Sequence, residues 1–141
     1  MSKIRFLSPE YESAVALPFA DEGVHAGFPS PAQHYMENSI DLNRDLISHP
    51  ESTFYARVEG ESMRDANILP GDLLVIDKSR DARTGDVCLC IVEGEFTVKT
   101  VEFFPDHVRL VPANPEFKPM EISGTDSFEV WGVVTYVIHK V

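Results

Sequence analysis

Glu95-Phe96-Thr97-Val98-Lys99-Thr100-Val101-Glu102-Phe103 is a run rich in β-branched and aromatic residues, with turn residues at Glu93-Gly94 before it and Pro105-Asp106 after it. Such side chains fit a pleated surface, so the run reads as a strand. Residues two apart on a strand share a face, which groups Lys99 with Thr97, Val101 and Phe103. Runs of the same kind lie at Thr53 to Val58, Leu73 to Asp77, Val87 to Val92, Val108 to Val111 and Phe128 to His139. Between them fall Pro70-Gly71-Asp72 and Thr84-Gly85-Asp86, residues that tolerate turn dihedrals. Short strands at this spacing predict a mostly β fold, an antiparallel and barrel-like sheet.

Upstream the pattern changes. Pro9, Pro18, Gly23, Gly27, Pro29 and Pro31 interrupt short apolar pieces, and neither a helical nor a strand period survives them. Residues 1–30 are therefore expected to form a flexible N-terminal arm, and residues 31–141 the folded β domain. Ser30-Pro31-Ala32-Gln33 joins a capping serine, a proline at the first helical position and a glutamine three residues after the cap. That signature predicts a short helix running to about Ser48, with a break near Asp41.

The bulk properties bound the function. A chain of 141 residues with 43% hydrophobic residues supports one domain with a real core. Its net charge of -11 repels a phosphate backbone, so direct nucleic-acid binding is not expected and proteins are the expected partners. Cys88 and Cys90 stand two apart on one strand, a poor geometry for a mutual disulfide, and read as buried thiols of a reducing compartment. Pro9, Glu10 and Glu12 interrupt the N-terminus before any apolar run develops, so no signal peptide or membrane anchor is read there, and a cytoplasmic location is expected. The five histidines and two cysteines show no metal-ligand spacing and no Ser-His-Asp pattern. Neither a metal nor a cofactor is expected.

Three short features carry possible chemistry. Gly60-Glu61-Ser62-Met63 sits at the end of one strand, where a glycine permits an unusual turn and leaves a serine hydroxyl and nearby N–H groups free to face a substrate carbonyl. Alone it is an ordinary turn serine. Lys99, set among apolar neighbours, is partly desolvated, which lowers the pKa of an ammonium and lets a neutral amine accept a hydroxyl proton. Alone it is a lysine whose stem covers apolar surface. Ala26-Gly27 places two small residues in the arm, where an extended peptide is open to a protease; alone it is a glycine hinge.

The order of these features resembles the LexA-type self-cleaving peptidases, which use a Ser-Lys dyad, and within them the UmuD-like branch. The resemblance spans nearly the whole chain, through Ala26-Gly27-Phe28-Pro29-Ser30-Pro31, Ile40-Asp41-Leu42-Asn43, Gly60-Glu61-Ser62-Met63, Gly71-Asp72-Leu73-Leu74, Gly94-Glu95-Phe96-Thr97-Val98-Lys99, Val111-Pro112-Ala113-Asn114 and Trp131-Gly132-Val133-Val134. It implies a twisted, mostly β domain. It implies that Ser62 is the nucleophile, Lys99 its general base, backbone N–H groups of Glu61 and Ser62 the oxyanion hole, and Ala26-Gly27 the bond cut. It further implies a homodimer of the SOS response whose self-cleavage is promoted by a RecA filament on single-stranded DNA. The trimmed dimer then serves a UmuC-like, Y-family polymerase subunit in translesion synthesis.

Two departures stand out. The cleavage site is Ala-Gly where the best-known UmuD has Cys-Gly, which leaves the chemistry intact. Ala16-Leu17-Pro18-Phe19-Ala20 keeps only part of the phenylalanine-rich segment linked to sliding-clamp contact. The stretch before Ala26 is too short for a helix-turn-helix domain, so a repressor role is not expected. The alternatives are a pure binding module that keeps the pair unused, a signal-peptidase-like Ser-Lys enzyme acting in trans, and a phage-type repressor fragment. The second needs a membrane anchor or an apolar membrane-facing surface, and no transmembrane segment is read in the sequence. The third is disfavoured by the acidic charge and the lack of a DNA-binding domain.

Overall fold

A computed structural model of the protein describes residues 3–7, 16–19, 26 and 38–141. The chain divides into two compact units, residues 10–48 and residues 1–9 with 49–141. In the smaller unit, strand β2 (Ala16–Phe19) pairs antiparallel with β3 (Asn38–Asp41), with Leu17 opposite Ile40. Helix α1 (Leu42–Leu46) follows at once, capped by Asp41, whose carboxylate accepts the Asn43 N–H at 3.1 Å. The predicted helix is thus shorter at its described end. Asn38–Asp41 is strand, because the ladder to β2 satisfies a backbone that the local sequence would equally have allowed to coil. Ser30-Pro31-Ala32-Gln33, and the helix start read there, lie outside the described residues.

The larger unit is one curved antiparallel sheet. Its strands are β1 (Lys3–Leu7), β4 (Thr53–Glu59), β5 (Leu73–Asp77), β6 (Val87–Val92), β7 (Glu95–Phe103), β8 (Val108–Val111), β9 (Met120–Ile122) and β10 (Phe128–Ile138). They lie in the order β1-β4-β5-β10-β6-β7-β8-β9. The mostly β, antiparallel prediction holds. Two strands go beyond it: β9 is only three residues long, and β1 lies inside the stretch read as an arm because β4 supplies a ladder that no local periodicity signals.

The long strand β10 joins the two halves of the sheet, pairing with β5 on one side and β6 on the other. Its register shifts between Val130 and Gly132 on the β6 side and between Val134 and Tyr136 on the β5 side, irregularities that bend a strand and tighten its twist. The curl brings Phe54 of β4 and Phe96 of β7 edge-on to Trp131 of β10, with ring centroids 5.0 Å and 6.2 Å away. It also brings β1 within 8 Å of β7, Cα to Cα, which gives the sheet its barrel-like form. Two apolar clusters fill the two faces. Met63, Leu74, Ile76, Leu89 and Val98 centre one, and Cys88, Cys90, Val101, Leu110 and Val133 the other.

One hairpin sets the register of the site. Glu93 (φ 49°) and Gly94 (φ 77°) form the two-residue connection of β6 to β7, and left-handed dihedrals at both positions match the twist of the strands they join. Val92 therefore stands opposite Glu95, and counting back along the ladder puts Cys90 opposite Thr97 and Cys88 opposite Lys99.

Candidate active site: a buried serine and lysine

The structure brings Ser62 and Lys99 together. Lys99 sits in the middle of β7, and Ser62 follows β4 in a turn opened by Gly60, whose φ of 100° is a conformation that glycine adopts freely. Lys99 Nζ lies 2.9 Å from Ser62 Oγ. Both residues are buried, Ser62 at 1% and Lys99 at 4% exposure.

Lys99 Nζ is surrounded by oxygen atoms. It lies 2.6 Å from Thr97 Oγ1 and 3.0 Å from the Val98 carbonyl oxygen. With Ser62 Oγ these make three acceptors for the three N–H bonds of an ammonium; on deprotonation Thr97 and Val98 can keep the two remaining N–H bonds and the lone pair can turn to the Ser62 hydroxyl. Burial away from water lowers the Lys99 pKa to about 8. A Cys90 thiolate would oppose this, but burial pushes that thiol itself up to about 12, so near neutral pH it is uncharged. Cys88 is likewise raised to about 12, and both cysteines are free. The sequence alone identified Thr97 only as a same-face neighbour of Lys99; its hydroxyl is a direct partner.

The Ser62 turn is fastened from across the molecule. Ser62 accepts the Ala113 N–H through its carbonyl at 2.8 Å, and the Ala113 carbonyl accepts the Asp65 N–H at 2.7 Å. Asn114, buried at 4% exposure, donates through Nδ2 to the Glu61 carbonyl at 2.9 Å, while its Oδ1 accepts the Glu116 N–H at 3.0 Å. Met63, buried at 2%, plugs the turn into the apolar cluster below. The Val111-Pro112-Ala113-Asn114 block was visible in the sequence, but nothing local said that it would grip the residues around Ser62.

The histidines form no second catalytic set among the described residues. His49 Nδ1 lies 2.6 Å from Asp77 Oδ2, yet Ser52 and Ser79 bond to Asp77 and not to the free side of the ring. His139 Nδ1 lies 2.6 Å from Asp72 Oδ1, and His107 stands between Asp106 and Glu121. These pairs hold loops and chain ends to the sheet. Ala26 is an exposed bend in the smaller unit; Gly27, and with it the bond read as the cut site, lies outside the described residues.

A buried serine at hydrogen-bond distance from a lysine of lowered pKa has the chemistry of a nucleophile and a base that need no histidine. The Peptidase S24-like family description matches residues 18–135. This chain belongs to the S24-like peptidases. It is 38% identical to protein SamA of Salmonella typhimurium over 95% of this chain and 94% of SamA, and 39% identical to protein MucA of Escherichia coli over 86% of this chain and 83% of MucA. Both are UmuD-like proteins. It is also 33% identical to LexA repressor 2 of Xanthomonas oryzae pv. oryzae, over 89% of this chain and 58% of that repressor. As an S24-like peptidase of mostly β fold it agrees with the resemblance read from its motifs. No described helix is long and apolar enough to cross a membrane.

Proposed function

We propose that this S24-like chain is a self-cleaving serine endopeptidase, with Ser62 as nucleophile and Lys99 as general base, that cuts Ala26-Gly27. The reading rests on the 2.9 Å approach of Lys99 Nζ to Ser62 Oγ in a water-poor setting. Neutral Lys99 takes the Ser62 proton as Oγ attacks the Ala26 carbonyl carbon. The resulting oxyanion is met by backbone N–H groups at Glu61 and Ser62, whose turn Asn114 and Ala113 hold in place. Collapse expels the Gly27 amine, which receives the proton from Lys99, and water then hydrolyses the Ser62 ester to release residues 1–26. Attachment of the substrate to the enzyme gives a high effective concentration, so the limiting steps are arm docking and loss of the lysine proton.

The wider role follows from the UmuD-like relatives. The protein acts in the SOS response as a homodimer: a RecA filament on single-stranded DNA promotes the cut, and the trimmed dimer serves a Y-family, UmuC-like polymerase subunit in translesion synthesis. A sliding-clamp contact through Ala16-Ala20 belongs to the same reading. The test is intact-mass spectrometry of wild-type and Ser62→Ala protein, with and without RecA, single-stranded DNA and a nucleoside triphosphate. Loss of residues 1–26 in wild type alone supports the reading. An intact wild-type chain under every condition, including pH 9 to 10, refutes it.

A further inference from the structure

β1 is the edge strand of the sheet, and all of it precedes Ala26. Its register on β4 is Lys3 opposite Glu59, Ile4 opposite Val58, Arg5 opposite Arg57, Phe6 opposite Ala56 and Leu7 opposite Tyr55. The direction of the β4 backbone follows from its other side. Val58 donates to the Asp72 carbonyl at 2.9 Å and accepts the Gly71 N–H at 2.8 Å, so Val58 turns both backbone groups toward β5. In an antiparallel ladder this alternates, so Tyr55, Arg57 and Glu59 turn theirs toward β1. Three N–H and three C=O groups of β4 are thus covered by a segment that would be severed from the rest of the chain by a cut at Ala26-Gly27.

We infer that β1 is a removable cover, and that its loss opens the Tyr55–Glu59 edge of β4 to an extended strand of a partner protein that alternates basic and apolar residues. The inference takes its trigger from the self-cleavage reading; the covered edge stands without it. An unpaired sheet edge is a template for strand addition. The chemistry of the occupant is written in the cover: residues 1–9 hold Lys3 and Arg5 and no acidic residue, in a chain of net charge -11. Glu59 stands opposite Lys3, Arg57 opposite Arg5, and buried Ala56 and Val58 opposite Phe6 and Ile4, so basic and apolar residues alternate along the cover. The edge itself supplies a carboxylate only opposite Lys3, and the net charge of the chain supplies the rest of the preference. A second copy of this chain is the competing occupant, and dependence on protein concentration distinguishes it. While β1 is tethered its local concentration keeps the edge closed, and a free five-residue strand loses that advantage.

Amide hydrogen exchange on the Ser62→Ala protein tests this, because that chain stays intact whatever the fate of the self-cleavage reading. Arg5→Pro removes the central donor of β1. It is expected to speed exchange at Tyr55, Arg57 and Glu59 at least tenfold, with Leu89 and Val98 of the β6–β7 hairpin as unchanged references. A synthetic peptide of residues 1–9 added in trans is expected to restore protection, and the same peptide with Arg5→Pro is not. If Arg5→Pro also loosens the references, a chain starting at Ser8 gives the same comparison. Unchanged exchange at the three amides, failure of the peptide to restore protection, or protection that returns with protein concentration alone would each overturn the proposal, the last by making a second copy the occupant. Failure here with residues 1–26 still lost from wild type leaves the peptidase reading standing; success here with an uncut wild type leaves the edge and removes its trigger.

Discussion

Asn114 Nδ2 holds the carbonyl of Glu61 at 2.9 Å across 53 residues of sequence, so the peptide that leads into Ser62 is set by a side chain from the far side of the sheet. Removing that donor takes away a part-buried hydrogen bond, at about 0.5–1.5 kcal/mol. Asn114→Ala is expected to lower unfolding free energy by that amount in urea and to slow self-cleavage at least tenfold at temperatures where the variant remains folded. Cleavage at the wild-type rate by a destabilised variant would show that the bond supports the fold alone.

The lysine sets the pH dependence of the cut. With its pKa near 8, Lys99 is mostly ammonium at pH 7 and mostly amine at pH 9. Cleavage without an activator should rise about tenfold per pH unit below 8 and level off above it, measured by the appearance of the fragment lacking residues 1–26. A profile that stays flat from pH 6 to 9 would remove Lys99 as the base.

The same shift has a stability consequence. The unfolded lysine titrates near 10.5 and the folded one near 8, so the unfolded chain binds more protons between these values and stability rises with pH across that window. Lys99→Met removes this burden and abolishes cleavage. It is expected to be more stable than wild type at pH 7 by up to about 3 kcal/mol, at 1.36 kcal/mol per unit, with the difference vanishing above pH 10.5. Urea melts of both proteins at pH 7 and pH 10.5 check it.

Asp77 works in the opposite direction. Its burial raises the pKa, but hydrogen bonds from the Ser79 hydroxyl, His49, the Ser79 N–H and the Ser52 hydroxyl outweigh burial and bring it down to about 2. A depressed carboxyl contributes stability above its ordinary value of 3.8, and that contribution is lost as pH falls toward 2. Wild type is expected to lose about 2 kcal/mol over that range relative to Asp77→Asn, read from denaturant melts.

Gly132 marks a packing limit. A Cβ there would stand 2.6 Å from Ile76 Cγ2, where β10 crosses β5. Gly132→Ala is expected to destabilise the protein by about 1–3 kcal/mol, and pairing it with Ile76→Val to recover part of the loss. Strict additivity of the two changes would argue that the contact is relieved by backbone movement.

The sequence by itself determined six of the strands and singled out Ser62 and Lys99 as candidates. Val87–Val92, Glu95–Phe103 and Phe128–Ile138 were legible because alternation, β-branching and the Glu93-Gly94 turn are local properties of the chain. Ser62 and Lys99 were legible because short motifs kept their order. Tertiary structure alone decided what surrounds them: the Thr97 hydroxyl and Val98 carbonyl that orient the amine, and the grip of Asn114 on Glu61. It also decided that Lys3–Leu7 is a strand and Asn38–Asp41 is not helix, since each takes its ladder from a partner far away in sequence. The physical reason is the same in every case. A local pattern fixes which way a side chain alternates, but hydrogen-bond partners and burial depend on residues that only folding brings near.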